Sequence, residues 1–121
     1  LSRVLRAPTH LPVEVSADLA SAISASLRMH ELSGGAFDIT LGPLGRLWRE
    51  ARKQGLLPSR DSIEAARSRS GIGNLSLAGR KLTLRRPGLG LDFGGIGKGL
   101  AVEEAYRKLR SLGFERCMVQ G

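Results

Sequence analysis

Apolar residues recur at helical spacing near the start of the chain: Leu19, Ile23 and Leu27 share one face, and His30 falls on it as well. Ser16 precedes this run as an N-cap, and Asp18 stands in the first turn, where a negative charge opposes the helix dipole. Gly34-Gly35 ends the helix, which makes His30 a helix-end residue in preference to a ligand. The stretch from Leu1 to Pro12 carries two prolines and is expected to be irregular. Ala36 to Thr40 is short and extended. Gly42-Pro43 opens a second helix, with Pro43 at its first position and Leu44, Leu47, Trp48 and Ala51 as its buried stripe. Gly55 and Pro58 close it, and a third helix is predicted from Ser59 to about Arg69.

The period then changes to two. Strands are predicted over Ile72 to Leu77, Lys81 to Arg85 and Leu89 to Phe93, with Ala78-Gly79-Arg80 as a hairpin turn between the first two. In the second strand Leu82 and Leu84 alternate with Lys81, Thr83 and Arg85. The run Gly94 to Gly99 leads into a last helix, striped by Val102, Ala105, Tyr106, Leu109 and Leu112. Glu103 with Arg107, and Glu104 with Lys108, are four apart in the favourable orientation. Gly113 ends that helix, and Arg116 to Gln120 reads as a further strand. The predicted core is Ile23, Leu27, Leu44, Leu47, Trp48, Ala105, Leu109 and Leu112. Helices mixed with short sequential strands predict an α+β fold with a mainly antiparallel sheet.

Composition narrows the function. The 121 residues are 41% apolar, enough for one small domain with a core. Net charge is +8, which admits nucleic acid, an anionic membrane or a phosphate-bearing ligand. The densest basic run, Arg46, Arg49, Arg52 and Lys53, has helical spacing and is broken by Glu50, as in a solvated helix face. Exposed stacking platforms are scarce, with three Phe, one Tyr and one Trp, and there is no nucleic-acid reader motif; nucleic acid is therefore not the expected partner. One cysteine, Cys117, cannot form an internal disulfide. His10 and His30 have no companions at metal-ligand spacing, and no apolar run is long enough to span a membrane. Leu1 in place of Met, and an end at Gly121 just after a strand-like run, read as two cuts in a longer chain.

A strand, a glycine loop and a helix suit an anion, because loop amides converge and the helix N-terminus is positive. Lys98 adds a full charge at that end, against the dipole. A tight turn with glycines for packing accounts for the same pattern. Familiar phosphate motifs fail: GxxxxGK[ST] needs Gly at Asp92 and Ser or Thr at Gly99, and GxGxxG from Gly95 needs Gly at Leu100. Asp92-Phe93-Gly94 spells the kinase magnesium triplet without the other kinase motifs.

Two separated segments decide between these. Ser33-Gly34-Gly35-Ala36-Phe37-Asp38-Ile39-Thr40-Leu41-Gly42-Pro43-Leu44 with Leu47-Trp48 resembles the TGGAFDxTxGPLxxLW block of the FAD:protein FMN transferase (ApbE) family. Leu91 to Val102 resembles its DLGGIAKGYAVD block, in the right order and spacing. Leu1-Ser2-Arg3 is similar to the family's upstream stretch, and Val119-Gln120-Gly121 to the start of its next strand, so the resemblance covers the whole chain. Ser33 stands for Thr, Phe93 for Leu, Gly97 for Ala, Glu103 for Asp and Leu5 for Asn.

The resemblance implies that residues 1–121 are an internal part of a single flavin transferase domain, cut at both ends and inactive alone. It implies an FAD site contacted by Ala36, Phe37, Asp38, Asp92 and Lys98, and a magnesium ion ligated by the Gly95 carbonyl, its other ligands lying in a later segment. The implied reaction moves FMN from FAD to a Thr or Ser of an acceptor protein and releases AMP; no catalytic group is assigned in this chain. A family member that only holds or hydrolyses FAD is the first alternative, and a basic nucleic-acid-binding module is the second. The residues give no compartment, and the resemblance carries an association with the periplasm or a membrane anchor. The chemistry is compatible: Phe37 offers a surface for a ring, the two Asp accept hydrogen bonds, and Lys98 suits a pyrophosphate. Phe37 as core and Asp38 as a turn cap remain open beside these roles.

Overall fold

The computed structural model describes residues 8–121; the similarity at Leu1-Ser2-Arg3 and the departure at Leu5 lie outside them. Strand β1 (Val13–Glu14) is followed by helices α1 (Ala17–Leu32), α2 (Gly42–Gln54) and α3 (Arg60–Arg67). A short 3-10 turn (Ile72–Asn74) leads to strands β2 (Leu75–Ala78) and β3 (Lys81–Leu84), and helix α4 (Gly97–Ser111) comes last. The fold is α+β, with an antiparallel three-stranded sheet in the order β1-β3-β2. Val13 and Leu77 both lie opposite Leu82, on either side of the central strand.

Local chemistry sets the boundaries. The Ser16 hydroxyl accepts from the Leu19 amide at 3.2 Å, and Ser59 caps α3 in the same way on Ser62. Pro43 stands in the first turn of α2, and Gly55 ends it in the left-handed region, with φ 66°. Leu82 and Leu84 turn inward while Lys81 is exposed, as alternation requires. The core gathers Val15, Ala20 and Ile23 from the α1 side, Leu75, Leu82 and Leu84 from the hairpin, and Ile39, Leu89 and Leu91 from two connecting segments.

Several expectations need correction. β1 was not predicted: it follows the stretch Leu1 to Pro12 directly and, with only two residues, depends on the edge of β3 more than on its own pattern. β2 starts at Leu75, not Ile72, because Gly71 (φ 108°) bends the chain into the 3-10 turn first. Leu89 to Phe93 forms no strand; among the described residues it makes a single parallel bridge, Gly90 to Leu41. The partner segment departs into α2 at Gly42, so a ladder has nothing to continue along. Arg116 to Gln120 forms no strand. Of the predicted core, Ile23 is fully buried and Leu27 packs against the core. Leu44, Leu47 and Leu109 are only half-buried, Ala105 and Leu112 are exposed, and Trp48 is 49% exposed. An apolar stripe is buried only where another layer lies over it, and among the described residues those faces of α2 and α4 are left partly open.

Candidate functional site

The first motif begins at the end of α1. Gly34 and Gly35 take φ of 60° and 88°, a reversal that side-chain-bearing residues resist. The Ser33 hydroxyl accepts from the Phe37 amide at 2.9 Å and donates to the His30 carbonyl at 3.1 Å. His30 Nδ1 lies 2.7 Å from the Phe37 carbonyl oxygen. One residue on, Asp38 Oδ1 accepts from both the amide and the hydroxyl of Thr40, at 2.7 and 2.6 Å. The Thr40 hydroxyl, wholly buried, in turn accepts from the Gly71 amide at 2.7 Å. The turn is therefore closed by side chains on both sides of Phe37.

The second motif crosses the first. The Asp92 amide donates to the Ile39 carbonyl at 2.7 Å, beside the Leu41–Gly90 bridge. The two backbones meet so closely that a Cβ on Gly42 would lie 2.8 Å from the Gly90 carbonyl oxygen, and one on Gly90 2.9 Å from Pro43 Cδ. Asp92 Oδ1 accepts from the Gly94 amide at 2.9 Å, which folds the glycine loop back on the aspartate. Its Oδ2 is 3.6 Å from Arg49 Nη1, an exposed pair. A Cβ on Gly95 would lie 3.1 Å from Phe37 Cε2, so the glycine loop rests on the Phe37 ring. The amides of Ile96 and Gly97 both donate to the Phe93 carbonyl, and α4 starts from that turn.

Of the residues singled out in the sequence, Phe37, Asp38, Asp92 and Gly95 thus come together where the motifs cross. Ala36 is exposed at the edge of the turn. Lys98, exposed in the first turn of α4, lines a separate open groove of about 360 Å³ with Ala101, Val102 and Val119. The alternatives left open for Phe37 and Asp38 are realised: Phe37 packs against the core and Asp38 caps its turn. Both retain partial exposure. His30, Thr40 and Arg49 were not singled out for this site. The spacing Asp-x-Thr was a legible turn signal, whereas nothing in the sequence showed that Arg49 turns from the solvated face toward Asp92.

Among the described residues no three His, Cys, Asp or Glu side chains converge on a point. Both oxygens of the Asp92 carboxylate at the crossing already have partners, Oδ1 the Gly94 amide and Oδ2 Arg49, and the Gly95 carbonyl singled out in the sequence is a single neutral oxygen. Magnesium holds six oxygens in near-octahedral geometry. This set is a fraction of such a shell and does not make a magnesium site by itself.

The fold and the paired motifs belong to one class, and comparison with known proteins agrees: the chain is a member of the ApbE family, whose model matches residues 1–121. It is 33% identical over 123 residues to an FAD:protein FMN transferase of Vibrio cholerae, covering 99% of this chain and 36% of that protein. It is 31% identical over 114 residues to the protein of the same name from Escherichia coli, covering 89% of this chain and 32% of that one. A mutant of the flavin transferase ApbE from Vibrio cholerae superposes on all of this chain with a TM-score of 0.91 at 31% identity, over 42% of its own length. The apo flavinyl transferase ApbE of Pseudomonas stutzeri gives 0.80 at 32% identity, over 92% of this chain and 36% of its own. The chain spans about a third of the length of the curated relatives it matches.

Proposed function

We propose that the full-length protein transfers FMN from FAD to a Thr or Ser of an acceptor protein, with magnesium, and that residues 1–121 supply part of its flavin-nucleotide site. The observation that carries this reading is the contact between the two motifs, where the Phe37 ring meets Gly95 and the Asp92 amide meets the Ile39 carbonyl. Two segments about fifty residues apart in sequence make one surface, with an aromatic ring, two partly exposed carboxylates and a loop in which Gly94 and Gly95 bare the main chain. Such a mixture suits a ligand with both an aromatic and a polar part. In this reading Phe37 forms a wall for an aromatic ring. Ala36 borders it. Asp38 and Asp92 accept hydrogen bonds through the lone pairs their turns leave free. Lys98 supplies charge toward the pyrophosphate.

The acceptor hydroxyl oxygen bonds to the FMN-side phosphorus and gives its proton to solvent. The bond from that phosphorus to the bridging oxygen breaks, and AMP leaves with that oxygen. Magnesium, when bound, offsets the charge on the phosphate oxygens, and the Gly95 carbonyl is this chain's contribution to holding it. The test is incubation of the full-length protein with FAD, magnesium and a Thr-bearing acceptor. Flavin fluorescence that stays with the denatured acceptor, together with released AMP, is the expected result. AMP and free FMN with an unlabelled acceptor would identify FAD hydrolysis instead. FAD left intact and unbound would refute the reading.

A further inference from the structure

We infer that His30 is a positioning residue for the flavin site, holding Phe37 in place from outside the motif that carries it. This rests on the functional reading above. Both main-chain polar groups of Phe37 are fixed from the last turn of α1: the amide by the Ser33 hydroxyl at 2.9 Å, the carbonyl by His30 Nδ1 at 2.7 Å. A carbonyl oxygen can only accept, so Nδ1 carries a proton and donates it. The imidazole also lies beside Gly35, with Cε1 3.7 Å from where a Cβ would stand, so the ring fills the space inside the glycine reversal. The segment Gly34 to Ala36 has no core side chain of its own to anchor it. Without the imidazole the Phe37 carbonyl loses its partner, and between α1 and Phe37 the loop keeps the Ser33 hydroxyl and the main-chain bonds of Gly34, Gly35 and Ala36. A wall held before the ligand arrives lowers the ordering cost of binding.

The roles divide between the two residues. Ser33 fixes where Phe37 begins, and His30 fixes the direction of the peptide plane that follows, which also carries the Asp38 amide. In this reading His30 acts through Phe37 on binding of the flavin end of FAD and not on the phosphoryl step.

The test uses the full-length protein with two substitutions. His30→Leu keeps apolar bulk and removes the donor. His30→Asn places an amide N–H close to where Nδ1 stands. The expected result is a KM and Kd for FAD raised about fivefold in His30→Leu, the order a lost neutral hydrogen bond gives. The expected kcat at saturating FAD is unchanged, the fold is retained by circular dichroism, and most of the affinity returns in His30→Asn. Nitrogen NMR of the wild type should show His30 protonated at Nδ1, and this measurement stands even if His30→Leu does not fold. Unchanged FAD affinity in His30→Leu, an Asn variant no better than Leu, or a His30 proton found only on Nε2 would each overturn the proposal. A wild type that binds no FAD would overturn the functional reading and the proposal with it, a result distinct from the other three.

Discussion

Gly42→Ala should destabilise the protein although alanine is the better helix former. At this position a Cβ would sit 2.8 Å from the Gly90 carbonyl oxygen and 3.0 Å from its carbonyl carbon, whereas ordinary contact begins near 3.4 Å. The groups in the way are main chain, held on one side by the Leu41–Gly90 bridge and on the other by buried Leu89 and Leu91. They must move by about half an ångström, and overpacking of a tight contact costs about 1–3 kcal/mol. Replacing glycine in a helix returns about 0.5–1 kcal/mol. The net expectation is a loss of about 1–2 kcal/mol. Gly99→Ala is the control: it lies in α4 with open space around its Cβ position and no positive φ, so it should stabilise by about 0.5 kcal/mol. Urea unfolding of the full-length protein and both variants measures the difference. If Gly42→Ala is as stable as the wild type, or shifts in the same direction as Gly99→Ala, the close crossing of the two motifs is wrong.

Thr40→Val should cost about 1–3 kcal/mol in urea unfolding, because it leaves the Gly71 amide without its acceptor in a buried place; Thr40→Ser should recover most of it. Lys98→Ala should lower FAD affinity or the transfer rate about tenfold in the full-length protein, with the melting temperature kept, as loss of one charged phosphate contact implies; calorimetry and the transfer assay read this. The chain 1–121 by itself should bind FAD weakly, respond little to magnesium and label no acceptor, because one carbonyl and one carboxylate whose oxygens already have partners cannot replace the cation's water; FAD titration with and without magnesium checks it.

The helices were legible because their signals are local. Ser16, Pro43, Gly55 and Ser59 mark ends by chemistry that acts within one turn; three stand where expected, and Pro43 stands one residue further in, after Gly42. The hairpin was legible for the same reason. What the sequence hid were pairings with distant partners: β1 exists because β3 is beside it, and Leu89 to Phe93 fails as a strand because its neighbour turns away. Burial of α2 and α4 was overestimated, since amphipathic spacing shows which face is apolar but not what covers it. At the site, the motif resemblance picked out Phe37, Asp38, Asp92 and Gly95, which the fold brings together. The links that join them, through His30 to Phe37, from Gly71 to Thr40 and at the Gly42–Gly90 crossing, depend on three-dimensional proximity, which no single position signals.

The hydrogen bond from the Gly71 amide to the Thr40 hydroxyl spans thirty-one residues. It draws together the two ends of the segment that contains α2 and α3, so the helical pair is pinched shut at its base. The far end of that pair, Gly55 to Leu57, is exposed and lies a full helix length from the pinch. Longer or shorter connections there change the entropy of an already closed loop only slightly. Insertion of a short segment at the α2–α3 tip is thus expected to leave the crossing of the motifs in place, while the same length added between Gly35 and Thr40 is expected to pull them apart; urea unfolding of the two insertion variants compares them.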